Sequence, residues 1–123
     1  MKKIFILLFI CLFLCSCNNS NSIKKSGKIK CDDIETILNY ENNPKLIDVR
    51  ENDEYEEYHL DNAINIPYTN IVNDLKALND VSLDTPIIVY CKSGTRSNNA
   101  YNSLKDAGYK HIYDLGSINN CNK

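Results

Sequence analysis

In the stretch VYCKSGTRSNNAYNSLKDAG, a single thiol, Cys91, is followed directly by Lys92, Ser93, Gly94, Thr95 and Arg96. An apolar run, Ile87–Tyr90, ends at the cysteine, and a helical pattern begins a few residues later. Cations and helix N-termini favour the thiolate form of a cysteine, which is the nucleophilic form. A strand that turns sharply into a helix needs a residue tolerant of positive φ, and Gly94 supplies one. The N–H groups of such a turn converge on an anion, helped by the positive end of the helix dipole. Cys91 is therefore the candidate nucleophile, and Lys92, Ser93, Gly94, Thr95 and Arg96 are the candidate substrate-binding residues. Most free cysteines are small apolar core residues. The cations and glycine beside this one are not core residues, which favours a reactive role.

The flanking pattern says how such a loop is positioned. Lys28–Lys30 is a weak first strand. Asp32–Tyr40 repeats Ile34, Ile37 and Leu38 at helical spacing, and Leu46–Val49 is a short strand after Pro44. Glu51–Tyr58 is an acidic and aromatic helix, Ala63–Ile66 a strand closed by Pro67, and Asn70–Leu78 a helix with Ile71, Leu75 and Leu78 on one face. Ile87–Tyr90 is apolar on both faces, as a central strand must be. Ser97–Ala107 is a helix stopped by Gly108, and His111–Leu115 is the last strand. Strands alternating with helices predict an α/β fold with a parallel sheet covered on both sides. In such sheets the reactive crevice lies at the carboxyl ends of the strands, where Cys91 falls.

Met1-Lys2-Lys3 followed by the apolar run Ile4–Cys15 has the layout of a secretory signal, and the run is too short to span a bilayer comfortably. Its end, Leu14-Cys15-Ser16-Cys17, resembles the bacterial lipobox. That resemblance makes residues 1–16 a lipoprotein signal peptide and Cys17 the lipidated residue, carrying palmitate or a similar chain. Asn18 to Gly27 is polar, so 17–27 reads as a flexible tether and 28–123 as the single folded domain. Loss of Lys2 and Lys3 leaves 12 basic against 16 acidic residues, a formal charge of −4. That balance argues against a nucleic-acid partner. Membrane attachment is expected through the lipid, at the bacterial cell envelope and outside the cytoplasm.

Of the 6 cysteines, Cys11 and Cys15 leave with the signal and Cys17 is acylated. Cys31, Cys91 and Cys121 remain, an odd number that makes a poor disulfide framework. No ligand spacing suggests a metal.

With these residues in view, the chain resembles the rhodanese family over most of Lys28–Leu115. LIDVRENDEYEEYHLDNAINIP is similar to the family's first block: an Asp-x-Arg strand end, an acidic-aromatic helix, a His, then Ala-x-Asn-Ile-Pro. YCKSGTRS resembles the active loop, and LKDAGYKHIYDLGSI the closing helix, strand and glycine turn. The resemblance implies a rhodanese-like five-stranded parallel sheet with helices on both faces. It implies a sulfurtransferase that takes a sulfane sulfur onto Cys91 as a persulfide and passes it to a thiophilic acceptor, with no cofactor. The partners it implies are a small sulfur-containing anion or another protein's thiol or persulfide. Lys92 and Arg96 would hold an anionic donor, and Asp48 and Arg50 would support the crevice structurally.

Phosphatase and arsenate-reductase relatives carry a loop one residue longer. Here four residues, Lys92 to Thr95, separate Cys91 from Arg96, as in sulfurtransferases. A non-catalytic binding module and a thiol-redox enzyme pairing Cys91 with Cys31 or Cys121 are the other readings. Tyr58 and Asn62 stand where the family has glycines, and left-handed φ suits Asn but not Tyr. Cys121 fits as a small residue in the place of a family Trp. His59 and His111 are expected to be structural and surface residues, and the Glu51–Glu57 carboxylates a solvated helix face.

Overall fold

The computed structural model describes residues 26–122. Five strands form one parallel sheet: β1 (Gly27–Lys28), β2 (Lys45–Asp48), β3 (Ala63–Asn65), β4 (Ile87–Cys91) and β5 (Ile112–Ser117), in the order β1-β5-β4-β2-β3. Four α-helices lie between them: α1 (Asp33–Leu38), α2 (Asn52–Glu57), α3 (Ile71–Lys76) and α4 (Thr95–Asp106). The α/β class and the central place of β4 agree with the pattern of the sequence.

β4 sits in the middle because both of its faces are apolar, and all five of its residues are buried. Ile87, Val89 and Cys91 face one layer with Ile71 and Leu75 of α3 and Ala100 and Leu104 of α4. Ile88 and Tyr90 face the other layer, with Ile37 of α1, Tyr55 of α2, Tyr113, Leu115 and Ile118. Full burial of each such aliphatic side chain contributes about 1.5–3 kcal/mol. The two layers clamp β4 so that its end, and the loop that follows, have a fixed origin.

A register shift between Val89 and Tyr90 lets β5 carry one extra residue, so Tyr90 lies opposite Gly116 and Cys91 opposite Ser117. Gly116 has φ +78° at this bulge, and its N–H donates to Asp114 Oδ1 at 2.8 Å. The folded part begins earlier than the sequence indicates. Ser26 and Gly27, placed in the tether, belong to the sheet edge: Ser26 Oγ donates to the Lys110 carbonyl at 3.1 Å and accepts from Ile112 N–H at 3.0 Å. The signal segment and Cys17 lie outside the described residues.

Asn62 adopts φ +67°, as an Asn in a glycine place can. Tyr58 escapes the same demand by closing α2 in an extended conformation, φ −164°.

Candidate active site

β4 delivers Cys91 to the carboxyl edge of the sheet, and Lys92, Ser93 and Gly94 make the turn into α4. Gly94 has φ +98°. An added Cβ would meet Gly116 Cα at 3.7 Å, an ordinary contact, so backbone conformation and not space demands glycine here. From that conformation Gly94 donates its N–H to Cys91 Sγ at 3.0 Å. Its carbonyl accepts from Asn98 N–H at 3.0 Å and from the buried Ser97 hydroxyl at 3.1 Å.

α4 opens at Thr95, two residues before the Ser97 start expected from the sequence. Thr95 and Arg96 are thus first-turn residues whose N–H groups have no partner within the helix. The sulfur sits at the positive end of a 12-residue helix. Cys91 itself is 0% exposed and is the free cysteine of the described residues.

The loop residues named from the sequence do not all converge. Ser93, Gly94 and Thr95 line a 670 Å³ cavity with Asp114, Gly116 and Asn120. Lys92 lies instead in a 290 Å³ cleft with Arg50, Glu54, Glu57 and Tyr58, while its carbonyl accepts the Ser117 hydroxyl at 2.5 Å. Arg96 turns to Glu54 and donates to both carboxylate oxygens, at 2.6 and 3.0 Å. That pairing holds Glu54 below the usual carboxylate range and raises Arg96, with Cys91 a smaller contributor to Arg96 in the same direction.

Glu54 is the residue that sequence reasoning missed. The sequence pattern puts it on a solvated acidic helix face, yet it ties α2 to the first turn of α4. No local pattern signals this pairing: it follows from β2 and β4 lying adjacent and parallel, which brings together the first turns of the helices after them. The acidic first turn of one then lies next to the arginine of the other.

Asp48 and Arg50, expected from the sequence to support the crevice, form a buried ion pair at the end of β2. Arg50 Nε reaches both Asp48 oxygens at 3.0 and 3.1 Å, and Nη2 reaches Oδ2 at 2.7 Å. Nη2 also donates to the Tyr58 carbonyl at 2.6 Å, fixing the end of α2. Asn65 Nδ2 donates to the carbonyls of Asp48 and Arg50 at 3.0 and 2.9 Å. The bond to Asp48 is the main cause that raises Arg50 above its ordinary value. The pair is a buried brace between the end of β2 and the end of α2.

His59 stacks on Tyr55 at 3.8 Å and its Nδ1 bonds the Tyr55 carbonyl at 2.8 Å, a structural role. His111 is half-buried in a 560 Å³ cavity with Pro86 and Tyr113, at the opposite edge of the sheet from Cys91. Among the described residues no group of three or more His, Cys, Asp or Glu could hold a metal ion.

The cysteine reading needs correction. Cys31 and Cys121 form a disulfide across 90 residues, so the odd count hid one pair and one free thiol. Cys121 does more than fill a Trp place: it closes the short helical turn Ile118–Cys121 onto the entry of α1. Both half-cystines pack in the layer opposite Cys91. The structure does not bring Cys91 together with either.

A family model described as "Rhodanese-like domain" matches residues 32–122. The chain is 33% identical over 103 residues to "Adenylyltransferase and sulfurtransferase uba4" of Ogataea parapolymorpha, covering 82% of this chain but 24% of that one. It is 33% identical over 72 residues to "Thiosulfate sulfurtransferase PspE" of Escherichia coli, covering 58% of this chain and 68% of that protein. Among solved structures, "rhodanese with anions from E. coli" superposes with a TM-score of 0.58 at 29% identity, covering 64% of this chain and 92% of that one. The chain thus spans about a quarter of the first of these relatives, whose wider activity is not carried by the match. A parallel five-stranded sheet, a Cys-x-x-Gly-x-Arg turn after its central strand and a family model covering most of the chain agree: this protein belongs to the rhodanese-like domain family.

Proposed function

We propose that this protein is a sulfurtransferase that carries a sulfane sulfur on Cys91. The observation that carries the reading is the Gly94 N–H aimed at Cys91 Sγ from the turn at the head of α4. In the first half-reaction the Cys91 thiolate attacks the outer sulfur of a donor. A new S–S bond forms at Sγ, the donor's own S–S bond breaks, and the leaving group departs with the electron pair. In the second, an acceptor nucleophile such as cyanide or a thiolate takes the outer sulfur and Cys91 leaves as thiolate. The two steps balance without any external oxidant or reductant.

Donor N–H groups at the loop and helix start stabilise negative charge as it develops on the transferring sulfur. The sulfurtransferase names of several relatives support the same reading. The Cys31–Cys121 pairing disfavours a redox cycle with Cys91, because that cycle would need one of them as partner. Incubating the protein with a sulfane donor and cyanide should yield thiocyanate catalytically, and Cys91→Ser should abolish it. Failure to turn over with thiosulfate, a persulfide or polysulfide as donor would refute the proposal.

We also infer attachment to the envelope through a lipid on Cys17, with the domain outside the cytoplasm. A disulfide between Cys31 and Cys121 supports this, since structural disulfides persist in oxidising compartments. Cys17→Ala should move the protein from the membrane to the soluble fraction; unchanged partition would contradict it.

A further inference from the structure

The charges beside the Cys91 loop are spent on one another. Arg50 is committed to Asp48 and to the Tyr58 carbonyl, and its side chain is 8% exposed. Arg96 is committed to both oxygens of Glu54. Glu54 and Glu57 line the same cleft as Arg50 and Lys92, and Glu51 also acts on Arg96. Among the described residues, Lys92 is the only one of these three cations that makes no ion pair. With Lys28 and Asp114, which line the cavity of Ser93, Gly94 and Thr95, four cations stand among the five carboxylates Asp48, Glu51, Glu54, Glu57 and Asp114, and the neighbourhood carries no positive surplus to receive a small dianion.

A dianionic donor gains nothing here from Arg96 unless it first separates the arginine from Glu54. Both side chains are about a quarter exposed, so the pair can open, but the donor competes with a bidentate partner already in place. A persulfide bears at most one negative charge on its sulfurs and needs no cation to cancel a second. Its outer sulfur can be approached through the loop N–H groups alone.

We propose that the donor class of this site is a thiol persulfide rather than a dianionic inorganic thiosulfonate, and that Glu54, by holding Arg96, sets that preference. This rests on the sulfurtransferase reading above. The Cys91 thiolate attacks the outer sulfur of R–S–SH, the Cys91–S–SH bond forms, and R–S⁻ leaves to be protonated by water. Glu54 is a specificity-determining residue acting through Arg96.

The test uses the full chain and two donors: thiosulfate, and the persulfide of 2-mercaptoethanol generated in situ. Loading of Cys91 is followed by intact mass over time at several donor concentrations. Glu54→Gln should raise loading efficiency with thiosulfate about tenfold, through a lower half-saturating concentration, and leave the persulfide within twofold. Glu56→Gln, on the same helix but bonded to Asn52 and away from the cleft, should change neither donor by more than twofold. The proposal is overturned if Glu54→Gln changes both donors alike, if it leaves the donor ratio unmoved, or if Glu56→Gln shifts the ratio equally. Loading by neither donor in the wild type overturns the sulfurtransferase reading itself, whereas equal response to Glu54→Gln overturns only the donor assignment. Thermal melting of both variants shows whether α2 has stayed in place.

Discussion

Gly94 reaches the Cys91 sulfur with its backbone N–H at 3.0 Å while holding φ +98°, so one residue both makes the turn and points a donor at the nucleophile. Gly94→Ala separates these roles from packing, because the Cβ would meet only an ordinary contact at 3.7 Å. Forcing a Cβ into left-handed backbone costs about 1–2 kcal/mol. The variant should melt lower by several degrees and still fold. Its rate of sulfur loading should fall at least tenfold, as the loop relaxes toward negative φ and the N–H turns away from Sγ. Loading at the wild-type rate would show that the bond is incidental.

The Asp48–Arg50 brace should behave as a buried pair does. Asp48→Ala strands a guanidinium that is 8% exposed, and breaking such a pair costs about 3–5 kcal/mol. Replacing both, as Asp48→Leu with Arg50→Met, removes the unpaired charge along with its partner and should cost less than Asp48→Ala alone. Urea denaturation checks the order. A double variant less stable than the single one would mean that the bonds to Tyr58 and the Asn65-held backbone matter more than charge.

The Cys31–Cys121 disulfide ties the turn after β5 to the start of α1, and that turn follows directly on Ser117, the last residue of β5, whose hydroxyl holds the Lys92 carbonyl. Removing a native disulfide from a small domain costs about 2–5 kcal/mol. Cys31→Ala with Cys121→Ala should lower stability by that amount, and a dithiol reductant should do the same to the wild type but nothing to the variant. Because Cys91 is paired with neither cysteine, the variant should still accept sulfur. Loss of loading in a folded variant would revive the redox reading.

Three buried phenols govern the alkaline limit. Burial is the first cause that pushes Tyr90, Tyr109 and Tyr113 above the ordinary tyrosine range. A raised pKa in the folded state means that the folded protein holds protons which the unfolded chain releases. Stability is therefore full below about pH 10, the unfolded value, and declines as pH rises toward the folded values. Ultraviolet titration should show these three ionising only as the protein unfolds. Tyr90→Phe should flatten the decline, while costing about 1–3 kcal/mol at neutral pH because Leu60 N–H loses its acceptor. If all 8 tyrosines ionise together in the native state, the burial argument fails.

Local patterns carried much of this architecture. Ile87–Tyr90, apolar on both faces, announced the central strand, and the turn chemistry of Lys92–Arg96 announced the site. Hydrophobic period and turn residues are local properties, so one sequence suffices to read them. What escaped depends on pairing across the fold. Glu54 and Arg96 are 42 residues apart and meet only because β2 lies beside β4. Cys31 and Cys121 are 90 apart, and a third thiol made the count look unpaired. The start of α4 was missed by two residues because Gly94 caps it from a left-handed conformation that no periodicity reveals.

The most direct test is intact mass spectrometry of the protein after exposure to a sulfane donor, followed by peptide mapping. The account predicts a gain of one sulfur atom located on Cys91, discharged by cyanide or a thiol and absent in Cys91→Ser. A protein that gains no sulfur from any sulfane donor, or gains it equally in Cys91→Ser, would contradict it.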